Sequence, residues 1–202
     1  MERTVRKIDE LNILSYKDYF DVMALTERQR NERIRAAEEF EDTLMSFLLS
    51  IDLSRTYPID PKKKFVEEYT DAVKKYLDDD FVPIYVDMLA ALLEETTLAH
   101  IDEEYYTSLN RAVSVAANES NTVLNHKDFN DAVKNGYKRK QWITEHDDRV
   151  RPTHIEVEDT IIPINDLFVV GNAVMRYPHD FEYASLHPEE LNHCRCSIAY
   201  LR

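Results

Sequence analysis

Glycine is nearly absent from this chain. Its 202 residues hold two, Gly136 and Gly171, where average usage would give about fourteen. Phosphate-cradling loops need several glycines so that backbone N–H groups can approach the ligand. The shortage excludes a Walker loop, a dinucleotide fingerprint and a kinase-type Gly-rich loop. Cysteine is as scarce, with Cys194 and Cys196 alone. They stand too close for an easy mutual bridge and make no disulfide framework, so synthesis in a reducing, intracellular compartment is expected. No apolar run approaches the roughly 20 residues that a bilayer requires. The longest, 81–93, is broken by Asp87. The opening MERTVRKIDELNILSY lacks an apolar segment ahead of a small-residue cleavage site, so no secretory signal is expected.

Positive charge is in deficit too. There are 25 Lys and Arg against 39 Asp and Glu, a net charge of -14, and the pI is near 4.9. That balance argues against a nucleic-acid binder working through its whole surface. The acidity is uneven: the first 136 residues carry a net -11 and the remainder -3. What is present is a globular composition, 44% hydrophobic and 32% charged, enough to bury a real core.

Two periodicities divide the chain. Up to about Asn135 the pattern is helical. Phe40, Leu44, Phe47, Leu48 and Ile51 share one face of a helix over 26–50. Asp60-Pro61 is a helix start, an N-cap carboxylate followed by proline at the first helical position. That helix presents Phe65, Tyr69, Val73 and Tyr76. The segment 81–98 is apolar nearly all round and is predicted to be the most buried helix of a bundle. A helix over 102–124 and a shorter one over 127–135 follow, the latter ending at Gly136 as a left-handed cap. Beyond Gly136, residues 141–144, 160–164 and 196–201 read as short strands, with Pro163 marking an edge. The fold class is therefore α+β. A mainly helical arm or bundle (1–136) precedes a small α+β module with a short sheet (137–202).

The chemistry-bearing residues lie in that module. Cys194 and Cys196 with His154 and His187 could supply four Zn²⁺ ligands, His193 being the other choice for the fourth. Such a metal would help a small module close. The competing reading makes the cysteines small core hydrophobes and the histidines surface residues. Asp147, Asp148 and Arg149 beside His154 could form an acid/base set. Alternatively they form an Asp-rich turn capping backbone N–H groups and pairing with Arg149 and Arg151. Lys138, Arg139 and Lys140 form a dense basic run, a candidate contact for phosphate or a solvated turn. Trp142 reads as a core anchor.

These residues, taken in order, resemble the phage Mu F-like (head morphogenesis) minor capsid proteins of tailed bacteriophages. The resemblance begins with Arg111-Ala112 and Ala117-Asn118-Glu119. Asn125, Gly136, Lys140 with Trp142, and Asp147–His154 follow. Phe168, Tyr177-Pro178 and Asn192–Cys196 complete it, over roughly residues 105–202. Where some members carry Cys-x-x-Cys, this chain has Arg151-Pro152-Thr153-His154. The resemblance implies a non-enzymatic protein of the virion, made in the host cytoplasm and placed inside the head near the portal. Its partners would be portal and capsid or scaffold proteins and packaged DNA, with no membrane. Two other readings remain open. One is a metal-dependent hydrolase or nuclease using the Asp/His/Cys cluster. The other is a host-cell regulatory interaction protein.

Overall fold

The computed structural model describes residues 15–77 and 80–202. The expectation about a leader falls on residues 1–14 and so lies outside that range. The chain forms two compact units. One holds 15–19 with Glu32–Ser120, and the other holds Phe20–Asn31 with Asn121–Arg202.

The first unit is helical. It takes most of α2 (Glu27–Ser54), then α3 (Pro61–Lys74), α4 (Phe81–Ala99), a 3-10 turn over Glu104–Thr107, and the first half of α5 (Leu109–Lys134); the short α1 (Tyr16–Asp21) precedes them. All five residues of the predicted α2 stripe are buried. Asp60 accepts a hydrogen bond from the Lys63 amide at 3.2 Å, as its N-cap position requires. Phe65, Tyr69 and Val73 are buried, and rings carry the packing: Phe47 stacks on Phe65 at 4.1 Å and Phe65 on Tyr69 at 4.9 Å. Such pairs add about 0.5–1.5 kcal/mol beyond the area they bury.

Helix α4 corrects the expectation of all-round burial. Tyr85, Val86, Leu89 and Leu93 face the core, but Ile84 (63%), Met88, Leu92 and Leu98 are exposed among the described residues. Composition gives a helix its mean hydropathy; only packing decides how many of its faces are covered. The two helices expected over 102–124 and 127–135 also differ. A 3-10 turn comes first, and α5 then runs unbroken from Leu109 to Lys134. Nothing between Leu124 and Lys127 breaks a helix, because Asn125 and His126 are tolerated without proline or glycine nearby. Gly136 ends the segment at φ +76°.

The second unit holds the sheet. Strands β1 (Arg139–Ile143), β2 (Ile161–Pro163) and β5 (Ser197–Leu201) form an antiparallel sheet in the order β2-β1-β5. Arg139 faces Pro163 on one side and Leu201 on the other, and β2 is an edge, where Pro163 costs no ladder bond. A hairpin of β3 (Phe168–Val170) and β4 (Ala173–Met175) turns through Gly171-Asn172. Sequence reading missed this hairpin. Its two-residue loop needs a positive φ, which Gly171 supplies at +59°. Three one-turn helices complete the unit: α6 (Pro152–Ile155), α7 (Phe181–Ala184) and α8 (Pro188–Leu191). Trp142, Phe168, Val170, Met175, Leu191 and both cysteines share its core.

Candidate functional site

The path of β5 sets the geometry. Cys196 directly precedes Ser197, which pairs with Ile143 of β1. Cys194 and Cys196 both turn inward, with relative exposures of 2% and 3%. Facing them is His154 on α6. Proline at the first position of that helix needs no hydrogen-bond partner, so a single turn suffices to present the imidazole.

His154 Nδ1 lies 3.4 Å from each of the two sulfurs. Its Nε2 lies 3.1 Å from Glu190 Oε2, and Thr153 Oγ1 donates to the same carboxylate oxygen at 2.9 Å. His154, Cys194 and Cys196 hold one donor atom apiece within 4.8 Å of one another, the one such group of His, Cys, Asp or Glu among the described residues. His187 stands outside it, paired with Glu189 at 3.1 Å. His193 lines a cavity of about 20 Å³ beside the group, with His154, both cysteines, Arg149 and Arg151. That is room for about one water.

The electrostatics follow from burial. Desolvation opposes ionisation of Cys194, but hydrogen bonds from Cys196 and His154 outweigh it and hold this thiol well below its ordinary range. Its bond to Cys194, then burial, raises Cys196. Burial works against protonating His154. The bond to Cys194 and the Glu190 charge reverse that, and its pKa is raised. Burial pushes His193 down to about 4 and also lowers His179, whose Nε2 meets the Cys194 carbonyl at 2.6 Å. Two of these turns are strained: His179 and His193 have φ of +63° and +56°, unusual for residues other than glycine.

The acid/base set does not assemble as one group. The carboxylate on His154 is Glu190, which sequence reasoning missed. Asp147 instead accepts from Arg195 at 2.6 Å and from the Arg149 amide at 3.1 Å, as a turn-capping aspartate does. Asp148 and Arg149 are exposed. Arg151 donates to the Asn192 carbonyl, tying α6 to the turn before Cys194. Trp142 is fully buried, as expected, with its ring 5.7 Å from that of His154. In the basic run, Lys138 and Arg139 are exposed but Lys140 is buried. Its ammonium sits over the rings of Phe129 and Phe168 at 5.1 and 5.4 Å. Contact with phosphate is therefore open to the first two residues and closed to Lys140.

The other motif residues support this unit or its neighbour. Asn125 Nδ2 donates to the Pro178 carbonyl at 2.8 Å, and the Tyr177 hydroxyl meets His126 Nδ1 at 2.8 Å. In the helical unit, Arg111 donates to Thr96, Thr97 and the Tyr106 carbonyl and stacks 4.5 Å from the Tyr106 ring. The motif set thus marks helix clamps and the frame of a small module closed by a histidine–cysteine group.

The family described as Phage Mu protein F like protein matches residues 69–199, and the chain belongs to it. The match begins inside α3, well upstream of residue 105, where the motif residues first become readable. This is a family of phage head morphogenesis proteins, structural in kind, with capsid-related partners. No curated protein and no solved structure matches. Among the described residues, no helix is long and apolar enough to cross a membrane.

Proposed function

We propose that this chain is a minor capsid protein, held inside the phage head near the portal, that assists capsid assembly and DNA packaging or delivery. The observation that carries the proposal is the family match over residues 69–199. Two features of the chain support a structural role. Asp147 is engaged by Arg195, and the His154–cysteine group adjoins space for little more than one water, which leaves scant room for a substrate. The helical unit also offers a partner the exposed apolar side of α4, at Ile84, Met88 and Leu92. Lys138 and Arg139 are exposed and open to packaged DNA.

Proheads purified from an infected culture test the proposal. The protein is expected to co-purify with portal-containing particles at low copy number, and its deletion is expected to lower the yield of infectious, DNA-filled heads. Normal assembly, packaging and infection without it would overturn the reading.

A further inference from the structure

We propose that His154 Nδ1, Cys194 Sγ and Cys196 Sγ are three ligands of a Zn²⁺ site, with the fourth position facing the water-sized cavity beside His193. The site does not depend on the head role and would stand without it.

Distance is the first argument. Tetrahedral zinc with bonds of about 2.3 Å to sulfur and 2.0–2.1 Å to nitrogen sets N···S edges of about 3.5 Å. Both observed edges are 3.4 Å. A thiol–imidazole hydrogen bond would sit at a similar distance, so the surroundings must decide.

They favour a metal. Glu190 lies on His154 Nε2 and is itself held by Thr153. A carboxylate there holds a proton on Nε2, so that loss of the Nδ1 proton on metal binding would aim its lone pair at both sulfurs, the arrangement that orients metal-ligating histidines. The approach of Glu190 is built in: a Cβ on Gly171 would collide with its Oε1. Trp142 Nε1 is buried beside the group without a hydrogen-bond partner among the described residues. Two adjacent thiolates repel one another, and a divalent ion between them would neutralise both. Two thiolates and an imidazole are the soft donor set that selects zinc over magnesium or calcium. With space for one small ligand, the fourth position suits water, or His193 after a side-chain rotation.

The test uses the full chain, reduced, stripped with chelator and reconstituted with Zn²⁺ or Co²⁺. Elemental analysis should find one zinc per chain. The cobalt form should show a thiolate-to-cobalt charge-transfer band that falls by about half in Cys196→Ser. Glu190→Gln replaces no ligand; it should keep the helical circular-dichroism signal while weakening zinc affinity about 10–100-fold. A folded chain that takes up neither ion overturns the proposal. So does uptake with no charge-transfer band, or with affinity unchanged in both His154→Ala and Glu190→Gln.

Discussion

At the scale of single residues, the buried ionic groups carry the sharpest predictions. Lys140 Nζ has no hydrogen-bond partner among the described residues. Burial lowers its pKa to about 8 from the ordinary 10.5, the Asp180 charge offsetting this only in part. Below pH 8 the folded protein bears the full cost of keeping the ammonium charged. As pH rises from about 8 toward 10.5, the folded form is neutral while the unfolded form is still protonated, and the cost is relieved. Lys140→Met, with a similar stem and no charge, is expected to stabilise the chain by about 1 kcal/mol at pH 7. Urea unfolding at pH 7 and pH 10 checks this, and the advantage should shrink at the higher pH. Arg176 is the opposite case. Its guanidinium makes two 2.8 Å bonds to the two oxygens of fully buried Asp180. Arg176→Ala should cost about 3–5 kcal/mol by leaving that carboxylate unpaired. Chemical denaturation measures it, and a loss under 1 kcal/mol would refute the account.

At the scale of elements, caps and turns decide what forms. Asp60→Ala should destabilise by about 1 kcal/mol, because the Lys63 amide loses its acceptor. A thermal melt showing no change would contradict that. Gly171→Ala should do more damage, since it combines a left-handed backbone with a collision against Glu190. Solubility and melting temperature should both fall. The helix stripes, the Asp60-Pro61 start, the Gly136 stop and the Pro163 edge were all legible in sequence, because each is a local rule. The Phe168–Met175 hairpin was not. Its strands are three residues each, too short for alternation to stand out, so the Gly171-Asn172 turn signal between them was passed over.

At the scale of the whole molecule, one face of α4 is the clearest surface feature. Ile84→Lys and Met88→Lys lie on exposed positions and should change stability by less than about 0.5 kcal/mol. Under the proposed head role they should reduce co-purification with portal-containing proheads; full retention would remove this face as the docking surface. Sequence by itself determined the fold class and the family, and it offered His154, Cys194 and Cys196 among the candidate metal ligands. These rest on composition, on local periodicity and on residue order. Only the tertiary structure decided that Glu190 rather than Asp147 backs His154, that His187 stands apart, and that Lys140 is drawn inward beside Trp142. The physical reason is register. Alternation along β1 sends every second side chain to the core, and loops converge where strand pairing puts them, so neither result follows from spacing along the chain.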